Sequence, residues 1–121
     1  MNEYVARAKV VSSAQLFMDR FAFAVCDADN VDSPTVLGAQ VANELMDINN
    51  IKASFVFTDY NGTIYVSARS IDEVNVQVIM EKLGGGGHMS VAGAQFTDCT
   101  VEEAMGKVKE ILKEMKEGGE V

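Results

Sequence analysis

Ala53-Ser54-Phe55-Val56-Phe57-Thr58-Asp59-Tyr60-Asn61-Gly62-Thr63-Ile64-Tyr65-Val66-Ser67-Ala68-Arg69-Ser70 is two apolar runs joined by Asn-Gly. Both joining residues tolerate positive φ, which makes this pair the strongest short-range hairpin signal. Residues 53–58 read as a strand with Phe55 and Phe57 on one side and Val56 on the other. Residues 63–70 read as its partner. Side chains alternate across a strand, so Ile64, Val66 and Ala68 share an apolar face while Tyr65, Ser67 and Arg69 share the opposite one.

Upstream of the hairpin, Ser33-Pro34 marks a helix start, with Ser33 as N-cap and Pro34 where a missing N–H is harmless. Leu37, Val41, Leu45 and Ile48 follow on one helical face, and Asn49-Asn50 ends the run. Before it, residues 21–26 are rich in aromatic and β-branched side chains and read as a strand. Residues 2–17 read as a helix whose best stripe is Val10, Ala14, Phe17 and Met18, packing on something outside the domain. Downstream, residues 74–83 predict a helix with Val76, Ile79, Met80 and Leu83 on one face, capped by a left-handed Gly84. Residues 93–97 read as a last strand. Thr100 and Glu103 form a capping box for a final helix that buries Ala104, Val108, Ile111 and Met115 and stops at Gly118-Gly119.

The expected fold is α/β, in the order β-α-β-β-α-β-α after a leading helix. A strand–helix–strand unit implies parallel pairing and the Asn-Gly hairpin an antiparallel pair, so the sheet is mixed, with helices packed on it.

With 121 residues and 48% hydrophobic content, the chain has enough material for one compact core. No apolar run reaches the roughly 18 residues of a membrane span, and the N-terminus carries no basic-then-apolar signal pattern. A cytoplasmic location is expected. The net charge of −8 disfavours long nucleic acids, which are bound by neutralising their phosphates with Lys and Arg. It leaves room for a small phosphorylated ligand, because a local pocket can oppose the global field. Cys26 and Cys99 fit no metal-ligand spacing and read as packing residues or reduced thiols.

Chemistry concentrates in Gly84-Gly85-Gly86-Gly87-His88, directly after a helix. Four glycines exceed what a helix cap needs, and such a run admits close approach of backbone N–H groups to a bound anion. His88 is the chain's single histidine and can donate to a phosphate oxygen. The competing reading is a loose surface loop. Ser67-Ala68-Arg69-Ser70 offers a guanidinium at a strand end with a hydroxyl two residues before it, a fork suited to a phosphodiester, against the alternative of an ordinary surface arginine. Met80, Met89, Met105 and Met115 read as core filler, and Asp27, Asp29 and Asp32 as a solvated loop without ordered ligand spacing. One histidine cannot serve a triad.

The run from Asn75 to Leu83 leading into the glycine–histidine motif resembles the DHH-associated C-terminal domain of DHH phosphoesterases. Ser67-Ala68-Arg69-Ser70, Ala53-Ser54-Phe55-Val56 and Gln40-Val41-Ala42-Asn43-Glu44-Leu45 fit the same pattern, and the wording is most similar to the GdpP-type cyclic-di-AMP phosphodiesterases. Val91-Ala92-Gly93 departs from a more alanine-rich stretch. The resemblance implies a connecting helix at 1–19 from an upstream DHH domain and a substrate-binding domain at 20–121.

It also implies that two manganese ions sit in that DHH domain and that no cofactor and no catalytic residue belong to this chain, which alone is expected to hydrolyse nothing. Arg69 and His88, with Ser67 and Ser70, would hold the phosphate, and the backbone of Gly84, Gly85, Gly86 and Gly87 would line the nucleotide. The implied partners are a cyclic dinucleotide or short oligonucleotide and the upstream domain. The outer side of the first helix is expected to cover a partner domain or a second copy of the chain, making a homodimer. The full-length protein would be membrane-anchored through upstream segments. Two alternatives stand beside hydrolysis of cyclic di-AMP to linear pApA: the substrate domain of a nanoRNase-like or pAp-phosphatase-like relative, and a nucleic-acid-binding module.

Overall fold

The structure is a computed structural model that describes residues 2–27 and 33–121. Asp29 and Asp32 lie outside the described residues, as does the side chain of Asp27.

A six-stranded mixed sheet carries the fold. In chain order the elements are α1 (Asn2–Ser12), β1 (Gln15–Phe17), β2 (Phe21–Asp27), α2 (Pro34–Leu45), β3 (Ala53–Tyr60), β4 (Thr63–Ser70), α3 (Val76–Lys82), β5 (Gly86–Gly87), β6 (Val91–Thr97) and α4 (Val101–Glu117). Their order in space is β1-β2-β3-β4-β6-β5. The β2–β3 pair is parallel and the others antiparallel, as the strand–helix–strand unit and the hairpin require. Asn61 and Gly62 both take positive φ, which sets the hairpin register.

Each sheet face has its own core. Phe21, Phe23, Phe55, Phe57, Ile64 and Val66 project to one side against Ile79 and Met80 of α3 and Val108 and Leu112 of α4. Phe23 and Phe57 stack with ring centroids 5.9 Å apart. Ala22, Ala24, Cys26 and Val56 project to the other side, against Leu37, Val41 and Leu45 of α2 and Val10 of α1. The hydroxyl of buried Ser54 donates to the Ala42 carbonyl at 2.7 Å, tying β3 to α2.

Five expectations need correction. The leading helix stops at Ser12 rather than running to Phe17, because the hydroxyls of Ser12 and Ser13 bond back to the carbonyls of Lys9 and Val10. Residues 15–17 instead form β1. Met18 and Asp19, both at positive φ, turn the chain so that Phe17 faces Phe21 and its ring meets Phe23 edge-on at 5.7 Å. Ile48 lies beyond α2 and is exposed, since the helix ends at Leu45. Ser33 occupies the cap position of α2 but its side chain makes no capping bond. Met89 is exposed on a turn rather than filling core, unlike Met80 and Met115. The glycine run, read as loop, contains a short edge strand, β5.

The capping box at α4 forms in both directions: Thr100 Oγ1 accepts from Glu103 N–H at 3.1 Å, and Thr100 N–H donates to Glu103 Oε1 at 3.0 Å. These bonds to Thr100 hold the Glu103 carboxyl below its ordinary pKa. Thr100→Ala is expected to destabilise the fold by about 1 kcal/mol, read as a lower urea midpoint at unchanged slope. The Glu103 contribution is fully present above the unfolded carboxylate pKa and fades as pH falls through the depressed folded value. An unchanged midpoint in the alanine variant would show the box to be idle.

Candidate anion-binding site

α2 packs on β2, β3 and β4. Beside it, the same face of β4 and β6 is open and holds a groove of about 390 Å³, lined by Thr35 of α2, Tyr65 and Ser67 of β4, Gly93 and Gln95 of β6, and the Gly84-Gly85 pair. Gly38 lets α2 sit close to the sheet here, since a Cβ at that position would lie 2.6 Å from Thr58 Oγ1.

The strand register arranges this face in rows. Tyr65 pairs with Gln95, Ser67 with Gly93, and Arg69 with Val91. Gly86 extends the second row by pairing with Gly93. His88 extends the third, because its N–H donates to the Val91 carbonyl at 2.7 Å. Arg69 and His88 thus both neighbour Val91, the first by strand register and the second through its backbone N–H. The groove begins one row away, at Ser67, so neither Arg69 nor His88 lines it.

The Arg69 guanidinium is held by neutral acceptors. Nε donates to Asn43 Oδ1 of α2 at 2.8 Å and Nη1 to the Ala68 carbonyl at 2.9 Å. Three of its five N–H groups remain. Among the described residues no carboxylate lies within ion-pair distance of it; the two ion pairs formed are Arg7–Glu44 and Lys52–Glu73. Burial without a compensating anion pushes its pKa below the ordinary arginine value. His88 is exposed, and its ring makes no hydrogen bond among the described residues.

The loose-loop reading of the glycine–histidine motif does not fit. Ser70 N–H donates to the Ser90 carbonyl at 3.0 Å, Val76 N–H to the Met89 carbonyl at 2.9 Å, and the Ser70 hydroxyl reaches the carbonyls of Val74 (2.5 Å) and Met89 (3.3 Å). The turn is pinned to β4 and α3, and the Ser70 hydroxyl is spent doing so.

Nor do the glycine amides form a nest. Gly84, at φ +87°, donates to the Glu81 carbonyl at 3.1 Å and Gly85 to the Met80 carbonyl at 2.8 Å, the paired bonds of a Schellman cap. Gly85 and Gly87 are small because β6 is close. A Cβ on Gly85 would lie 2.1 Å from the Gly93 carbonyl oxygen, and one on Gly87 would lie 2.5 Å from Ala92 Cα. Gly86 alone has ordinary φ and empty space where a side chain would go. It belongs to the row that faces the groove.

Asn43, Thr35, Tyr65 and Gln95 were not singled out from the sequence. The signal was partly there: Gln95 alternates with the inward Ala94 and Phe96, and Tyr65 with Ile64 and Val66. No group of three or more His, Cys, Asp or Glu side chains converges among the described residues, so those present do not fit a two-metal centre. No helix among them is long and apolar enough to cross a membrane.

Comparison with known proteins places this geometry in context. The DHHA1 domain family matches residues 20–117. The cyclic-di-AMP phosphodiesterase GdpP of Geobacillus thermodenitrificans is 44% identical over 117 residues, which are 96% of this chain and 18% of that protein. The cyclic-di-AMP phosphodiesterase PdeA of Listeria monocytogenes is 42% identical over 102 residues, 84% of this chain and 15% of that protein. Among solved structures, an exopolyphosphatase-related protein from Bacteroides fragilis superposes with a TM-score of 0.83 at 20% identity, covering 94% of this chain and 35% of that one. The chain thus spans less than a fifth of the length of those curated relatives.

Proposed function

The chain belongs to the DHHA1 domain family, and from that premise we propose that it is the substrate-gripping part of a phosphodiesterase acting on cyclic di-AMP. One observation carries the reading: a half-buried guanidinium with no carboxylate partner among the described residues, one β6 residue away from the backbone of His88. On a chain of net charge −8, an arginine left uncompensated is a local site for a small anion. The same overall charge argues against a long nucleic acid. The two curated relatives above are named as cyclic-di-AMP phosphodiesterases, which supports the choice of substrate.

In this reading Arg69 and His88 hold non-bridging phosphate oxygens and Ser67 stands where the groove takes over. Hydrolysis belongs to an upstream DHH domain that supplies two metal ions, and the linear product is pApA. No bond-breaking step falls to the residues of this chain, and its location is the cytoplasm. Calorimetric titration of the pure chain with cyclic di-AMP, pApA and pAp tests the binding half. The dinucleotides should bind with an affinity that weakens as salt rises. Absence of binding by a folded chain would overturn the proposal; a clear preference for pAp would move the substrate to the pAp-phosphatase class. Incubation with manganese and cyclic di-AMP tests the other half, and turnover by the pure chain would refute it.

A further inference from the structure

Resting on the reading of this face as a nucleotide site, we propose that the far end of the groove is a nucleobase pocket in which Gln95 selects adenine and Tyr65 supplies the stacking wall. Tyr65 and Gln95 are register partners on the open face, two rows from Arg69. Successive same-face residues of a strand lie roughly 7 Å apart, so a phosphate held at Arg69 leaves about 13 Å of floor before that pair. The row between is almost bare. Gly93 and Gly86 have no side chains, and only Ser67 stands there. A sugar can cross this strip without displacing protein atoms.

At the end of the strip the chemistry changes. Tyr65 offers a half-buried aromatic surface, and base–aromatic stacking is available to every base. Gln95 is exposed, and its carboxamide has no hydrogen-bond partner among the described residues. A carboxamide presents an acceptor beside a donor, which matches the amino group and N7 of adenine, whereas guanine sets two acceptors on that edge. The groove volume of about 390 Å³ lies within the range of small-ligand sites. Thr35 closes the α2 side of this end.

The test titrates the folded chain with pApA and pGpG, comparing wild type with Gln95→Ala, Gln95→Glu and Arg69→Ala, each checked by circular dichroism. Wild type should prefer pApA. Gln95→Ala should weaken pApA binding about tenfold and pGpG binding less. Gln95→Glu, which can only accept, keeps the bond from the adenine amino group but loses the donor to N7 and meets only acceptors on guanine. It should therefore weaken pApA binding without gaining pGpG binding, while Arg69→Ala should weaken both ligands and keep the preference. If Gln95→Ala retains the wild-type preference while Arg69→Ala weakens both ligands, the base pocket is wrong and the phosphate reading stands. If Arg69→Ala changes neither affinity but Gln95→Ala erases the preference, the pocket stands and the phosphate reading falls. A folded wild type that binds neither dinucleotide overturns both.

Discussion

Gly85→Ala is expected to cost about 3 kcal/mol of stability, while Gly86→Ala, one residue along, leaves the fold intact. The difference lies in what a new methyl group would meet. At Gly85 it would sit 2.1 Å from the Gly93 carbonyl oxygen and 2.8 Å from both Cα and Cβ of Ala94. Two of these three atoms are backbone of a strand paired on both sides, so no rotamer change relieves the clash. The Schellman bond from Gly85 N–H to the Met80 carbonyl would have to break for β5 to move away. At Gly86 nothing lies within 4 Å of the added carbon and φ is ordinary. Alanine there should change stability by no more than about 0.5–1 kcal/mol, with a gain from the stiffer unfolded chain. It would, however, raise the bare strip between Ser67 and the β5 edge, so dinucleotide affinity should fall although the fold does not. Chemical denaturation of both variants, followed by titration of Gly86→Ala, reads the two effects. A Gly85→Ala protein with the wild-type midpoint would show that the close approach of β5 to β6 is not what selects glycine.

The glycine run also marks where sequence reasoning stopped. Its unusual composition was legible, and so was the direction of the argument: four glycines admit something close. Which partner comes close was not legible, because β6 returns through a turn whose geometry depends on register. For Gly85 and Gly87 the close neighbour is the protein's own strand, leaving Gly86 open to a ligand. The hairpin, the parallel β2–β3 pair and the buried face of α4 were legible because local signals fix them: positive φ at Asn-Gly, apolar residues at strand and helix spacing, and a capping box. β1 was hidden in a stretch of good helix formers, and two serine hydroxyls bonding backwards decided it. At the site, alternation placed Tyr65, Ser67 and Arg69 on one face correctly. It could not supply Asn43, which reaches Arg69 from 26 residues away by the packing of α2 on the sheet.

Arg69→Ala is expected to lower affinity for phosphodinucleotides by roughly 10- to 100-fold, the weight of a charge-assisted hydrogen-bond pair in a half-buried place. Stability should stay within about 0.5 kcal/mol of wild type. The lowered pKa of the guanidinium records that burial costs this charge and that no nearby anion repays it. Removing it leaves the Asn43 side chain, which is exposed, and the Ala68 carbonyl without their donors. Arg69→Lys keeps the charge but loses the planar fork and cannot hold Asn43, Ala68 and a phosphate together, so its affinity should fall between the two. Asn43→Ala removes the anchor at Nε and should weaken binding less than Arg69→Ala, because the charge remains but its aim is lost. Salt provides an independent readout: wild-type affinity should drop as ionic strength rises, and the Arg69→Ala curve should be flatter. Equal affinities and equal salt slopes in wild type and Arg69→Ala would mean that the uncompensated charge serves no ligand on this face.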